Sequence, residues 1–450
     1  MFKVSELVAV TGGNLISQAD NIIVSGISID SRTIKSDQVF LAIKGDNFDG
    51  HDFIEAVIRK GVKVIIAEDF KAQFKNNKSV AIILVKDTVK ALGRIANFHR
   101  KKFDLPVIAV TGSNGKTTTK EMISWVLSKK YKVLKNEGTK NNHIGLPLTL
   151  LNLNSTHDIV VVEIGTNHFG EIGYLTSIAC PNIGVITNIG PSHLAFLKSL
   201  KGILSEKCSL LKGLSKPGIA ILNYDDPLLR KEALKFKKDA FLMGVGYKNN
   251  ADFKAKSLKS SCRGIEFTVN KKFKFTLGTL GYYNMYNALN SIAIGRIFGM
   301  AYPDIIALIR TFSPPKSRLN FKELEGIRFI DDTYNSNPLS LKQALGVLKD
   351  FKVRGRKIFI MGDMLELGRD SKSFHIQAIK DALKICDNLV TVGIITGSLK
   401  KVFSKERGAF FCKDSLQAKD FLFNNLHVTK DDIVLVKGSR AIKTEEVFKI

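Results

Sequence analysis

The segment from Val107 to Thr119, VIAVTGSNGKTTT, holds the residue types that grip phosphate. Gly112 and Gly115 let the backbone curl so that its N–H groups converge on an anion, and the helix expected next puts its positive dipole end at the same point. Lys116 can reach terminal phosphates, the hydroxyl of Thr117 suits Mg²⁺, and Asn114 and Thr118 complete the candidate nucleotide set. The general pattern asks for a Gly five residues before Gly115; that position is Val110, so the match is to a shortened loop, TGxxGKT. A bare Gly-Lys-Thr in a strand-to-helix turn can arise for backbone reasons alone. An apolar strand before it, a helical stretch after it and three successive threonines favour the phosphate reading.

Such a loop needs a sheet to hold it. Apolar runs at Val107 to Val110, Ile159 to Ile164, Ile183 to Thr187 and Ile219 to Asn223 alternate with helical stretches, the pattern of a largely parallel sheet covered on both faces. Before it, Ile22 to Val24, Val39 to Ile43, Val62 to Ala67 and Val80 to Val85, with a helix from Thr88 to Arg100, predict a smaller α/β unit. After the extended Ser313-Pro314-Pro315 come strands at Phe329 to Asp331, Lys357 to Met361, Asn388 to Val392 and Ile433 to Val436. The fold class is α/β in three domains, 1–104, 105–314 and 315–450, which suits a chain of 450 residues at about 150 per domain.

Composition narrows the classes further. With 44% apolar and 24% charged residues the chain is neither disordered nor collagen-like, and no apolar run approaches the ~20 residues of a membrane span. Lys3, Ser5 and Glu6 interrupt the N-terminal apolar residues, so no signal peptide is expected. The five cysteines are scattered and form no CxxC pair, which points to a reducing cytoplasm. The formal charge of +26 raises the question of nucleic acid. Its lysines, however, are spread along the chain with no basic block or aromatic-interleaved stripe, so we expect a solvated basic surface or a field that gathers an anionic substrate, and no nucleic-acid partner.

Further strings stand in order along the chain: IDSRTIKSDQVFLAIKG with DGHDFI, KNNHIGLPLTLL, EIGTNHFGEI, NIGPSHL, GYYNMYNAL, SRLNFKEL, DDTYNSNP, GDMLELG and LVKGSR. With the phosphate loop they resemble the Mur ligase family, ATP-dependent amide-forming enzymes of peptidoglycan precursor synthesis whose loop reads TGxNGKT. Within it they are most similar to the ligase joining D-alanyl-D-alanine to UDP-N-acetylmuramoyl-tripeptide. The preceding tripeptide synthetase carries a DNPR segment where this chain reads TVGIITGSL, Thr391 to Leu399. The resemblance implies an N-terminal domain for the uridine nucleotide, a central ATPase domain and a C-terminal Rossmann-like domain for the incoming amine. It also implies a monomer without a membrane span. Rival readings are a Mur ligase adding a single amino acid, or a nucleotide-regulated binding protein without ligase chemistry, for which Glu163, His193 and Lys207 together would have no use.

The same resemblance implies roles. Thr117 and Glu163 would hold Mg²⁺ near the ATP phosphates, and His193 a second Mg²⁺ near the acceptor carboxylate. Glu163 closes an apolar run, where parallel sheets bind ligands; the alternative is a surface Glu at a strand end. His193 taken alone reads as structural; within NIGPSHL it reads as a ligand. Alignment puts the family's N-carboxylated lysine at Lys207, with Lys198 and Lys201 close by and Ser209 where Glu is frequent; the alternative is a solvated helix lysine. Asn284 and Asn287 fall on the adenine-side helix, with Tyr283 in place of the usual His, either stacking on the purine or packing in the core. Arg318 would clamp ATP phosphates, Asp332 the ribose, and Asn142 the γ-phosphate side. Ser31, Arg32, Lys44 and Gly45 match the uridine-diphosphate pocket, near Asp49, Gly50 and His51. Asn335, Asn337, Asp363, Glu366 and Arg440 are candidates for gripping the dipeptide, and His375 reads as a structural helix residue.

Overall fold

Alternation along each strand sets the architecture of the N-terminal sheet. Val39, Leu41, Val64, Ile66, Ala81 and Ile83 face one core with Leu7, Leu92 and Ile95, while Phe40, Ala42, Ile65, Ala67 and Ile82 face a second with Ile54 and Val57. Strands buried on both faces read as continuous apolar runs, and each large aliphatic side chain so buried contributes about 1.5–3 kcal/mol. The structure is a computed structural model that describes residues 1–16, 22–70 and 80–449. Its first sheet orders the strands Asn14–Leu15, Ala81–Leu84, Val64–Ala67, Gln38–Leu41 and Gly26–Ser28, parallel except at the Asn14–Leu15 edge. Helix Thr88–Lys101 follows, capped by Asp87, whose carboxylate accepts the Lys90 N–H at 2.8 Å.

The chain packs as two compact units, one of Met1–Ala109, Lys132–Gly165 and Gly173–Pro181, the other of Val110–Tyr131, Thr166–Ile172 and Asn182–Ile450. The first exceeds the expected 1–104 because helix Thr88–Lys101 gathers later segments. His99 Nε2 donates to Leu153 O at 2.8 Å, Asn97 Nδ2 donates to Ser177 O at 2.9 Å, and Ile144, Leu148 and Leu151 pack against the same core. Within this unit Val133–Lys135 pairs in parallel with Ile159–Glu163.

In the second unit Ile183–Ile186 and Gly218–Asn223 run parallel, as the apolar runs predict, and Ala240–Gly246, which the runs do not mark, joins them in parallel. Phe253–Ser261, Gly264–Val269 and Phe273–Leu277 then form an antiparallel meander that the sequence reading lacks. Only Phe253 and Ala255 of FKAKSLKSS are buried, so that strand carries too little apolar signal to announce itself. A further sheet orders Asn320–Leu324, Ile327–Asp332, Ile433–Lys437, Lys357–Gly362, Asn388–Val392 and Ala409–Cys412, parallel after its first hairpin. Helices Pro338–Asp350 and Ser371–Leu383 cover one face; Ser415–Asp420 and the turn at Thr444–Phe448 cover the other. Loops at the carboxyl ends of these strands, residues 333–337, 363–368 and 438–440, carry the candidate residues of the C-terminal third. Among the described residues no helix is long and apolar enough to cross a membrane.

Candidate active site

Strand Val107–Thr111 is buried throughout, and helix Lys116–Leu127 starts directly after Gly115. Gly112 and Gly115 have φ of 146° and 81°. A Cβ on Gly112 would lie 1.9 Å from Thr187 Oγ1, and one on Gly115 2.6 Å from Asn287 Oδ1, so both the dihedral and the space demand glycine. The turn is tied to residues 187–192. Asn188 O accepts the Ser113 N–H at 2.9 Å, Asn188 Oδ1 accepts the Asn114 N–H at 3.0 Å, and Thr187 Oγ1 and Asn188 Nδ2 donate to Asn114 O at 2.6 and 3.0 Å. Ser113 Oγ donates to Gly190 O at 2.9 Å. Lys116 Nζ donates to Gly112 O at 2.9 Å, which keeps the ammonium over the loop. Thr118 is buried at the start of the helix.

Asn284 and Asn287 serve this loop from below. Asn287 Nδ2 donates to Asn284 Oδ1 at 2.8 Å, Asn287 Oδ1 accepts the Thr119 hydroxyl at 2.9 Å, and Asn284 Nδ2 donates to Leu280 O at 2.7 Å. Both side chains are buried and brace helix Asn284–Ile297 against helix Lys116–Leu127. Tyr283 is partly exposed and lies against Tyr282, ring centroids 4.0 Å apart.

In the first unit Glu163 ends its strand with 1% exposure. Asn136 brackets its backbone, accepting the Glu163 N–H at 2.9 Å and donating to Glu163 O at 3.0 Å, and Asn141 Nδ2 donates to Oε1 at 2.6 Å. Oε2 is buried with no hydrogen-bond partner. A buried carboxylate oxygen left so is costly unless a cation takes it, and this fits a divalent metal. Asn142, one residue on, accepts the N–H groups of Ile144 and Gly145 with its side-chain Oδ1, at 3.1 and 2.8 Å, where helix Gly145–Leu150 begins. The asparagine on the Glu163 carboxylate is Asn141.

In the second unit His193, at φ 53°, starts the short helix Leu194–Leu197, and its Nδ1 lies 2.6 Å from Glu366 Oε2. The His193 N–H holds the Glu366 carboxyl below the usual glutamate range. Lys207 lies on helix Leu200–Lys212 with 1% exposure, whereas Lys198 and Lys201 are exposed. The solvated-helix alternative for Lys207 is thereby excluded. Beside it Glu206, also buried, accepts the N–H groups of Gly170 and Ile172, each at 2.8 Å.

Arg318 reaches the phosphate loop. Its Nη2 donates to Thr117 Oγ1 at 3.0 Å while its guanidinium lies 4.0 Å from the Tyr334 ring centroid. The Thr117 oxygen thus directs a lone pair at a cation. Asp332 accepts the Leu319 N–H at 3.2 Å and pairs with the buried Lys437 ammonium at 2.6 Å, so its carboxylate braces the loop. Asn337 caps helix Pro338–Asp350 and exchanges amide hydrogen bonds with Asn114 at 2.7 and 3.2 Å, which joins DDTYNSNP to the phosphate loop. Asn335 accepts the Ser336 N–H with its side chain and the Lys437 ammonium with its backbone carbonyl.

Asp363 lies beneath the start of the short helix at Ile394–Gly397. It is buried, and its carboxylate accepts the N–H groups of Ile395 and Thr396 at 2.7 and 2.9 Å. Arg440 is exposed and pairs with Glu445 at 2.8 Å. His375 is fully buried, its Nδ1 donating to Ser371 O at 2.7 Å and its Nε2 accepting the Met364 N–H at 2.9 Å, the structural role expected of it.

On the uridine side Arg32 forms a fork with Asp30, at 2.9 and 2.8 Å, with its side chain 86% exposed. That contact pulls the Asp30 carboxyl down to about 2. Lys60 Nζ donates to Ser31 O at 2.7 Å. Lys44 and Gly45 are exposed on a turn closed by the Lys44–Asp49 bridge, and a Cβ on Gly50 would lie 2.7 Å from Ile43 N. His51 Nδ1 donates to Asp49 Oδ1 at 2.6 Å and its Nε2 accepts the Glu68 N–H at 3.0 Å. Sequence reasoning missed Asn136, Asn141, Thr187, Asn188, Tyr334 and Lys437. Asn141, Asn188, Tyr334 and Lys437 lie inside the quoted strings KNNHIGLPLTLL, NIGPSHL, DDTYNSNP and LVKGSR, which were the available signal.

Residues 23–100 match the family described as Mur ligase family, catalytic domain; residues 110–295 match the Mur ligase middle domain; residues 317–440 match the Mur ligase, glutamate ligase domain. The UDP-N-acetylmuramoyl-tripeptide--D-alanyl-D-alanine ligase of Bacillus subtilis (strain 168) is 36% identical over 458 residues, covering 99% of this chain and 97% of its own. That of Escherichia coli (strain K12) is 30% identical over 461 residues, again covering 99% and 97%. A crystal structure of MurF from Acinetobacter baumannii has a TM-score of 0.90 at 31% identity, covering 99% of this chain and 98% of that one. MurF ligase from Thermotoga maritima in complex with ADP has a TM-score of 0.84 at 30% identity, covering 96% and 98%.

Proposed function

The chain belongs to the Mur ligase family, and from that premise we infer that it is an ATP-dependent ligase joining D-alanyl-D-alanine to UDP-N-acetylmuramoyl-tripeptide in peptidoglycan precursor synthesis. The observation that carries the choice of substrates is similarity along the whole chain to ligases of that name, at 30–36% identity in the relatives above. Three family domains match, and we divide the chain at 104/105 and 314/315 for the uridine nucleotide, ATP and the incoming amine.

ATP binds at the phosphate loop, where the first N–H groups of helix Lys116–Leu127 receive its phosphates and Lys116 meets the phosphoryl group in transfer. A carboxylate oxygen of the tripeptide attacks the γ-phosphorus and ADP leaves, giving an acyl phosphate. The amine of D-alanyl-D-alanine then attacks the acyl carbon, phosphate departs with the C–O electrons, and the nitrogen loses a proton. Arg318, anchored on Thr117 and Tyr334, adds a fixed cation where phosphoryl charge develops. Glu163, Thr117, His193 and Lys207 as a carbamate are the residues that would hold Mg²⁺. When bound, Mg²⁺ neutralises the phosphate oxygens and lets two anions approach. Burial of Lys207 supports the carbamate, because desolvation favours the neutral amine that reacts with CO₂.

We place the reaction in the cytoplasm with a single chain as the working unit. None of the five cysteines forms a disulfide, as a reducing compartment requires. Incubation with ATP, UDP-muramoyl-tripeptide and D-alanyl-D-alanine should yield ADP and a product heavier by the dipeptide less water, read by mass spectrometry. A product with one added amino acid from single D-alanine, and none with the dipeptide, would refute the assignment.

A further inference from the structure

The GDMLELG loop sets Glu366 between two anchors. Met364 is buried and its N–H bonds His375 Nε2 at 2.9 Å; Leu367 is buried in the same core, and the Leu365 N–H bonds Ser439 Oγ at 2.9 Å. Glu366 itself has φ 63° and His193 has φ 53°, a left-handed conformation few non-glycine residues take and one that surrounding contacts must hold. The turns that carry the two residues supply those contacts to each other. The Ala195 N–H donates to Glu366 O at 3.0 Å, His193 Nδ1 donates to Glu366 Oε2 at 2.6 Å, and a Cβ on Gly368 would come within 3.3 Å of Ala195 Cα. His193 and Glu366 are 173 positions apart in the chain; their own contact is side chain to side chain, and Ala195 adds the backbone bond to Glu366.

A neutral imidazole has one N–H and one lone pair. If the carboxylate takes the Nδ1 hydrogen, the lone pair is on Nε2. Histidines that hold metals are commonly fixed in this way by a carboxylate on the other nitrogen. We propose that Glu366 is a positioning residue of the reaction, fixing the ring and tautomer of His193 for the second metal, and that it is not a grip for the dipeptide. The proposal rests on the ligase reading above. It follows that the loop of the amine-binding segment completes a site whose metal-holding histidine belongs to the ATP-binding segment.

The test is a Mn²⁺ titration of the full chain followed by electron paramagnetic resonance, with a non-hydrolysable ATP analogue and UDP-muramoyl-tripeptide present. Wild type should hold two Mn²⁺. Glu366→Ala should weaken one of them ~10–100-fold and leave the other unchanged. Glu366→Gln, which keeps an acceptor for the Nδ1 hydrogen, should stay within a few-fold of wild type. In a His193→Ala background, adding Glu366→Ala should change nothing more. Wild-type Mn²⁺ affinity in Glu366→Ala, a further loss in the double variant, or a raised KM for D-alanyl-D-alanine with metal binding intact would each overturn the proposal. A wild-type chain that makes no ligated product would instead overturn the ligase reading, and the proposal with it.

Discussion

The phosphate loop and the Ser31–His51 segment are both read as cradles for phosphate groups, yet they are built in opposite ways. At residues 112–117 the glycines sit in positive-φ conformations, and the buried Thr187 and Asn287 together with the partly exposed Asn188 hold the turn. Around residues 31–51 the cations Arg32 and Lys44 stand in solvent on turns held by short-range contacts such as Asp30 with Arg32. A preorganised, dry set of donors acts on charge that develops during reaction, whereas exposed cations act on charge already present and are screened by salt. Under the proposed function, the first design suits transfer and the second suits capture.

Removing a group from each region should expose that difference. Lys116→Ala takes a cation from developing phosphoryl charge, and kcat should fall on the order of 10³-fold at any ionic strength, read by steady-state ADP release. Activity near wild type would end the assignment of the loop. Arg32→Ala should leave kcat in place and raise KM for the UDP-substrate ~10-fold at 50 mM salt, the gap narrowing to a few-fold at 500 mM as screening weakens the wild type. An effect independent of salt would mean that Arg32 works through structure, as would a lowered melting temperature.

His375 tests plain folding stability away from both regions. Burial lowers its pKa, so the unfolded chain takes up the proton first and stability is complete above about 6.5, then declines as the pH falls towards the depressed native value. His375→Gln should lower stability by about 1–3 kcal/mol at pH 8 through lost hydrogen bonds, and should flatten the decline between pH 6.5 and 5 in urea titrations. A slope as steep as that of wild type would assign the pH dependence elsewhere.

Much of the phosphate loop was legible because its causes are local. A glycine that must turn, a strand that must be buried and a helix that must begin there all lie within about a dozen residues, and the apolar runs of both parallel sheets are equally plain. The antiparallel meander at residues 253–277 was not, since half of its first strand faces water with lysine and serine. Asn142 stood out by its motif, yet the carboxylate of Glu163 meets Asn141, because which of two adjacent asparagines faces a strand end depends on how their loop is laid against it.

What the sequence by itself determined is therefore the set of chemical groups and their order: the loop, the carboxylate at the end of its strand, the histidine, the lysine and the motifs of the C-terminal third. Tertiary structure alone decided which of them are dry and which of them touch. Lys207 is buried while Lys198 and Lys201 are not, Asp363 is drawn inward onto two backbone N–H groups, Asn188 locks the phosphate turn from 74 residues away, and Glu366 meets His193. The last three have no local period to betray them, because each depends on where strands distant in the chain bring their carboxyl ends together, whereas Lys207 shares the buried helical face of Ile203, Leu204 and Leu211.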